Sequence, residues 1–600
     1  MRSPAPASDK TSAGPPGPRH ALLLLALAAI TFGVYARTLS FPFINWDDPN
    51  YVIQNQDIRD FSPPHLKNMF SRAYAGVYVP LTMLSFAIDY QLYHFNAAGF
   101  RATNLVLHIL SVILLYLIAL RMTGDGLLAF GIALIFAVHP VQTESVIWIS
   151  QRKNVLSFFL YLAAFLAYAC ADPGPRERFL KILTFAFFVL ACLAKSLSLT
   201  LPAVLLLYDH LFRRPGKKQF PFYLFLFLVS LLFVWLSFRF TVAADPANAL
   251  GPPHAPDAFT AVRTIMKYVT LTFFPLHQSI RYPFPAAGTL MNPACLTAAA
   301  GVLALAGLLV FLYRRDRILF FWGVWPLVLL APTLSFIAQR DFVQDRWLYL
   351  PLAGFWMLVL SPLKRYAGKT LYLMVLFTAA LAFGVLNVRR QAVWSDPETL
   401  WLETRKVTGE IWSSTYYNLA MYYEKEGRYD DALEQYRKAA EDFQLPNAYR
   451  GMGNIHARRG NFQQAAFNYQ KAMELEPPSA TLHNSVGFLF TQAGQMGKAL
   501  EEFDKAAVLD PHRPEIQINR ARALALLGRP AEAEEAFQKA LALDPDLPDT
   551  LINYAGFLLT QERLEEAEEV CLRFLKLHAG LPAAGNVRKM LAEIETRKKP

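Results

Sequence analysis

A succession of long apolar runs, separated by short basic segments and ending near Val388, constrains this chain more than any other feature. Roughly twenty apolar residues wound as a helix match the hydrocarbon thickness of a bilayer. Runs of that order occupy 21–37, 101–120, 127–141, 155–171, 179–194, 197–212, 220–240, 294–313, 318–336, 347–363 and 371–388. From Ser395 onward charged and alanine-rich sequence replaces them. A chain that is 54% hydrophobic yet 18% charged is too apolar to be wholly soluble and too charged to be only a membrane bundle. The fold class expected is therefore all-α, a polytopic membrane bundle of about 11 spans followed by a soluble helical array.

Basic residues set the orientation. Arg19, Arg121, Arg176 with Arg178, Arg213-Arg214 with Lys217-Lys218, Arg314-Arg315 with Arg317, and Lys364-Arg365 with Lys369 fall on one side of eleven crossings. The positive-inside rule makes that side cytoplasmic, together with the N-terminus, and leaves the C-terminal part extracytoplasmic. The apolar segment 262–277 carries Arg263 and Lys267 and would invert every later loop if it crossed, so it reads as interfacial or re-entrant. The run 21–37 has no clear small-residue cleavage site after it and reads as an uncleaved first span. Net charge +11 is thus a matter of topology, and no nucleic-acid partner is expected. Cys170, Cys192, Cys295 and Cys571 offer neither metal-ligand spacing nor a convincing disulfide pair.

This topology gathers the unusual polar residues on the outer face. Asp47 and Asp48 follow the first span between Trp46 and Pro49. His139, Glu144, Gln151, Arg152, Lys153 and Asn154 bracket the turn after the third, and Lys195-Ser196 joins the fifth and sixth. Arg340-Asp341 and Asp345-Arg-Trp-Leu-Tyr349 precede the tenth. Ionisable groups at membrane depth are costly and usually face a protein cavity, so their coincidence on one side marks a candidate site. A carboxylate there can take a proton from an attacking hydroxyl, while Lys153, Lys195 and Arg346 can bind an anionic headgroup. Each has a structural alternative. The Asp pair can cap a turn, His139 can cap a helix end, Glu144 can pair with Arg152 or Lys153, and Lys195 and Arg346 can anchor at the interface. Asn104 and His108, four apart, are placed to make interhelical hydrogen bonds.

From Trp412 the sequence repeats. Gly427, Ala432, Tyr436 and Ala439 recur 33 residues later at Gly460, Ala465, Tyr469 and Ala472, then at steps of 34 as Gly494, Ala499, Phe503 and Ala506, and Gly528, Ala533, Phe537 and Ala540. This is the tetratricopeptide period. A fifth repeat has Glu562 at the glycine place and Cys571 at the aromatic place, and 581–597 reads as a capping helix. Helix pairs stacked in this way form a concave groove whose tyrosines and asparagines, such as Asn418 and Asn553, can hold an extended segment. The expected domains are a disordered 1–20, a membrane domain 21–390 with a first outer loop 38–100, a linker helix 391–411, and repeats over 412–600.

Several ordered motifs together resemble the transmembrane and tetratricopeptide-repeat O-mannosyltransferases and their bacterial relatives. They are Trp46-Asp-Asp-Pro-Asn-Tyr-Val52, Val79-Pro-Leu-Thr82 with Asp89-Tyr-Gln-Leu92, and Thr103-Asn-Leu-Val-Leu-His108. His139-Pro-Val-Gln-Thr-Glu-Ser145 with Arg152-Lys153, Leu201-Pro-Ala-Val-Leu-Leu-Leu-Tyr-Asp209 and Asp345-Arg-Trp-Leu-Tyr-Leu-Pro351 complete the set. The resemblance implies a GT-C membrane glycosyltransferase that moves a mannose-like sugar from a polyprenyl-phosphate carrier to a protein Ser or Thr hydroxyl outside the cytoplasm, the repeats recruiting the acceptor. It implies Asp47 and Asp48 as the catalytic acids with Asp47 the base, and His139 and Glu144 in the second outer motif. Arg152, Lys153, Lys195, Arg346 and Tyr349 would lie beside the donor phosphate. The chain departs from the pattern at Ser196, Gln151 and Asn154.

No cofactor is required by this chemistry, although the Asp47–Asp48 pair is compatible with a divalent metal, and no nucleotide-binding loop is expected because the sugar arrives activated. The expected partners are a polyprenyl-phosphate-linked sugar, a protein acceptor and the lipid bilayer. The absence of any Asn-x-Ser/Thr site favours a bacterial inner membrane over an endoplasmic reticulum. The competing reading is a non-catalytic membrane scaffold whose repeats organise partners, and a transporter is disfavoured because the membrane half shows no internal repeat.

Overall fold

The computed structural model describes residues 17–213, 219–244, 258–282, 292–334, 342–408 and 413–598, less 443, 477–478, 579–580 and 582. Nearly all of it is helix, and among the described residues the only β pairing is an isolated bridge between Tyr74 and Val77. The chain divides into two compact units, Met1–Gly409 and Glu410–Pro600.

In the first unit every apolar run of the sequence seeds a helix. Five helices are long and apolar enough to cross a membrane: Pro18–Ser40, Ala97–Thr123, Phe220–Phe240, Pro293–Arg315 and Gly368–Val393. Gly126–Val138, Ser196–Phe212 and Arg317–Thr333 are shorter apolar helices. The sequence expectation of about 11 spans thus meets its length requirement at five of them. The reason lies in packing. Gly126–Val138 and Arg152–Ala169 are enclosed on nearly all sides by other helices, so neither presents a full lipid-facing length. Close approach is built in where Gly354 faces the Trp322 carbonyl oxygen, 2.4 Å from where a Cβ would stand. The segment expected to be interfacial forms the helix Ala258–Phe273, which buries Thr260, Ala261, Thr264, Tyr268 and Leu271.

The segment 38–100 is more than a loop. It contains the helices Pro63–Ser71 and Pro80–Tyr93 and its own apolar core, in which Tyr51, Val52, Ile58, Met69, Val79, Met83 and Phe86 pack with Phe100 and Ile149. Buried Asp57 ties it together by accepting from the Tyr74 hydroxyl and the Asn68 amide, both at 2.7 Å. The last apolar helix runs on to Val393, and the linker helix is the shorter Pro397–Thr408.

The basic loop residues cluster at the other ends of the same helices. Asp172 pairs with both Arg121 and Arg213, and Asp125 caps Gly126–Val138 while pairing with Lys364. Ala97–Thr123, at 27 residues, is about 40 Å long and separates Arg101 from Arg121 at that basic end by about 30 Å. The chain is accordingly a multi-pass membrane protein with two chemically distinct faces.

The second unit is five antiparallel helix pairs, from Ser413–Lys425 with Tyr429–Glu441 to Pro548–Thr560 with Leu564–His578, closed by Ala584–Lys598. Each pair turns through a residue of positive φ. Gly427, Gly460, Gly494 and Gly528 supply it in the first four, and Glu562 adopts φ 59° in the fifth. Cys571 is fully buried at the position the other repeats fill with a ring.

Candidate active site

The two adjacent aspartates have opposite surroundings. Asp48 is fully buried; its Oδ2 accepts from the Ile44 N–H at 2.9 Å, and its Oδ1 from the N–H and hydroxyl of Ser150 at 3.0 and 2.5 Å. Burial pushes its carboxyl above the usual range, against the pull of Ser150, Ile44 and nearby Arg101. Arg101 binds the carbonyls of Phe41, Pro42 and Ile147, so the aspartate and the arginine together pin the first outer segment to the turn before Arg152. Asp47 keeps 24% of its side chain exposed and faces the Lys153 ammonium at 3.8 Å. It is the carboxylate that a reacting group can reach.

Lys153 stands beside it, and two further cations lie near Lys153. Lys153 donates to the Tyr51 hydroxyl at 3.0 Å and lies over that ring. Lys195, at the break between Glu177–Ala194 and Ser196–Thr200, donates to Asn154 Oδ1 at 2.5 Å. Burial pulls its ammonium well below the usual lysine range, and like-charge repulsion from Lys153 and Arg346 adds to this. Arg346 pairs with Glu144 and lies over Trp148. Its neighbour Asp345 is buried and accepts from Tyr282 and Gln278, at 2.5 and 3.0 Å. Burial, reinforced by Glu144 and opposed by Arg390, pushes Asp345 up to about 7. Lys153, Lys195 and Arg346 cluster with Asp47 and Glu144, and an arriving anion would favour the charged form of Lys195 that burial disfavours. Such a cluster suits an anion carried to a buried crevice.

Other sequence candidates are committed elsewhere. Arg152 is buried and spends its guanidinium on Asp89, Phe100 O, Asn104 and Ser85, so it braces the helices instead of facing a phosphate. Tyr349 is buried, with its hydroxyl 2.7 Å from His108 Nδ1 and its ring against Phe136 and Phe158; it too is a packing residue. His139 donates from Nε2 to Thr272 O at 2.9 Å, while its Nδ1 accepts from Val141 N–H, which makes it a satisfied helix cap. Glu144 pairs with Arg346 instead of Arg152 or Lys153. Asn104 bonds the carbonyls of Val146 and Trp148, as its spacing with His108 suggested. Arg340 and Asp341 lie outside the described residues.

The residues that sequence reasoning missed are those that hold the others. Ser150 fixes Asp48, Tyr51 holds Lys153, and a tryptophan cluster packs beside them, while Asn154, already a candidate, holds Lys195. Trp46 stacks on Trp148 at 4.5 Å and meets Trp401 edge-on at 5.4 Å, and Trp401 donates to Asn45 Oδ1 at 3.0 Å. Four tryptophans at 46, 148, 394 and 401 were the available signal, since so many large rings near polar loops need a shared packing site. Among the described residues no three metal-binding side chains gather. Both oxygens of Asp48 already accept from protein donors.

Residues 22–247 match the dolichyl-phosphate-mannose-protein mannosyltransferase family, and 413–475, 489–548 and 525–591 match tetratricopeptide repeat families. Protein O-mannosyl-transferase TMTC1 of Homo sapiens is 25% identical over 506 residues, covering 70% of this chain and 55% of its own length. Protein O-mannosyl-transferase TMTC3 of Mus musculus is 23% identical over 523 residues, covering 75% and 54%. The Mus musculus TMTC1 protein reaches 34% identity over 226 residues, 34% of this chain and 24% of its own. This chain spans about half the length of the first two of these relatives. A solved tetratricopeptide protein of Thermus thermophilus, 21% identical, covers 31% of this chain and 100% of its own at a TM-score of 0.29, too remote to inform the fold. The chain is thus similar to the protein O-mannosyl-transferases, matching the dolichyl-phosphate-mannose-protein mannosyltransferase family in its membrane part and tetratricopeptide repeats in its C-terminal part.

Proposed function

We propose that this protein is a membrane mannosyltransferase that moves a sugar from a polyprenyl-phosphate carrier to a Ser or Thr hydroxyl of a protein, on the extracytoplasmic side of a bacterial inner membrane. Asp47 accepts the hydroxyl proton as the hydroxyl oxygen bonds to the anomeric carbon, and the bond from that carbon to the carrier phosphate breaks. The departing phosphate takes the electron pair, and Lys153, Lys195 and Arg346 stabilise its growing charge. Donor binding requires Arg346 to share its guanidinium between Glu144 and the phosphate. Asp48 holds the loop and Glu144 holds the arginine. The repeats recruit the acceptor, and no metal enters the step.

The observation that carries this reading is a partly exposed carboxylate 3.8 Å from Lys153, with two further cations near that lysine. The test is sugar transfer from polyprenyl-phosphate mannose to a Ser/Thr peptide by the purified chain. Asp47→Asn should lower the rate by about a hundredfold or more while expression and melting stay as in the parent. A scaffold would show no transfer by the parent chain, and full activity in the variant would remove Asp47 from the chemistry.

A further inference from the structure

The repeat unit carries a second polar cavity of about 450 Å³, between its first two pairs of helices and lined in part by Tyr417, Glu424, Lys425, Arg450, Asn454 and Arg458. Elsewhere on the solenoid basic residues are commonly neutralised: Arg459 by Asp430, Arg520 by Asp504, Arg563 by Glu534 and Glu566, Arg573 by Asp546. Lys425, Arg450 and Arg458 are different, for among the described residues none of the three is in an ion pair. Arg450 bonds the Tyr417 hydroxyl and Arg458 lies over the Phe488 ring. The lining holds one carboxylate, Glu424, and its Oε2 already accepts from the Tyr436 hydroxyl at 2.8 Å. Burial pushes the Glu424 carboxyl above its usual range, while Arg458 and Arg450 pull it back. Asn454, also in the lining, accepts from the Tyr469 hydroxyl through Oδ1, which leaves its amide nitrogen to donate.

We propose that this cavity binds an acidic peptide segment. Arg450 and Arg458 contact its Asp or Glu carboxylates, Lys425 adds charge at the rim, and the Asn454 amide donates to a peptide carbonyl. The charge balance selects the occupant: three cations against one carboxylate leave an excess that an acidic side chain neutralises. Tyrosine rings and an amide donor along the walls suit an extended backbone better than a small free anion. The inference rests on the reading that the repeats recruit a protein acceptor, and narrows that acceptor to one with an acidic stretch near its modified hydroxyl.

The test uses the full chain in lipid nanodiscs and a short fluorescein-labelled peptide carrying Glu, Asp and Thr, followed by anisotropy, beside a counterpart in which Gln and Asn replace the acids. The acidic peptide should bind about tenfold more tightly than the neutral one, and Arg450→Gln or Arg458→Gln should each remove most of that difference. Glu424→Gln should tighten acidic binding several-fold by removing the competing carboxylate. Arg458 is exposed, so its variant should fold as the parent does. Equal affinity for the two peptides, or parent-like affinity in both arginine variants, would overturn the proposal. Sugar transfer to the same peptides separates the two readings. An acidic peptide that binds through the arginines but is never glycosylated supports the cavity and overturns acceptor recruitment. Transfer with no acidic preference in binding overturns the cavity alone.

Discussion

Asp47 and Asp48 show how one residue of register divides chemistry from architecture. Asp48 is buried with both oxygens bonded, whereas Asp47 is partly exposed beside Lys153. Their amide variants should therefore fail differently. Asp47→Asn should lose transfer at unchanged thermal midpoint, whereas Asp48→Asn exchanges an acceptor for a donor against the Ser150 or Ile44 N–H. That should cost about 1.5–3 kcal/mol, read as a lower midpoint in detergent. Asp345 gives a second outcome. Its carboxyl has a usual pKa of 3.8 and is raised to about 7 in the fold. Between about pH 4 and 7 the folded chain retains a proton that the unfolded chain has released, so this group's contribution favours the fold at low pH and is lost as pH rises through the window. Midpoints measured across that range should fall with pH through this term, and Asp345→Asn should flatten the slope. The sequence revealed which acids and bases share a face. Spacing alone could not separate Asp47 from Asp48, which only the resemblance did, nor Lys153 from Arg152, because that depends on partners such as Ser150 and Asp89, which are distant in the chain.

At the scale of elements, apolar length located the helix seeded by each apolar run of the membrane part but not the helices Pro63–Ser71 and Pro80–Tyr93, and the 33- and 34-residue steps located the repeats. The steps also marked Glu562 as the odd residue in a glycine position, and its φ of 59° gives that substitution a cost. Glu562→Gly should stabilise the fifth repeat by about 1 kcal/mol, measured as a rise in the repeat unit's melting transition. Apolar length did not reveal which helices are enclosed by others, nor that 38–100 folds around its own core. Burial against a neighbour and burial against lipid select the same side chains. The tryptophan cluster is the element-level counterpart of the site. Trp401, on Pro397–Thr408, holds Trp46 immediately before Asp47 and donates to Asn45. Trp401→Ala should destabilise the first unit by about 3–5 kcal/mol and slow transfer more than tenfold through a misplaced Asp47. Trp401→Phe, which keeps a ring and loses the N–H, should recover most of the stability. Transfer in that variant should match Asn45→Ala, which breaks the same hydrogen bond.

At the scale of the molecule, two chemically distinct ends of one helix bundle define what the chain can do. One end carries Asp47 with Lys153, Lys195 and Arg346, and the other carries the arginines and lysines of the short loops, partly neutralised by Asp125 and Asp172. Both ends are basic enough to attract a lipid phosphate, and both pair cations with carboxylates; at the second, Asp125 is spent capping Gly126–Val138 and Asp172 on two arginines, whereas Asp47, among the described residues, pairs with Lys153 alone at 3.8 Å. The decisive measurement is an experimental structure of the Asp47→Asn chain with polyprenyl-phosphate mannose bound and turnover blocked. The account predicts phosphate density within hydrogen-bond reach of Lys153, Lys195 and Arg346, with the anomeric carbon turned toward residue 47. Phosphate density at the Arg121, Arg213 and Lys364 end, with the Asp47 crevice unoccupied, would contradict it.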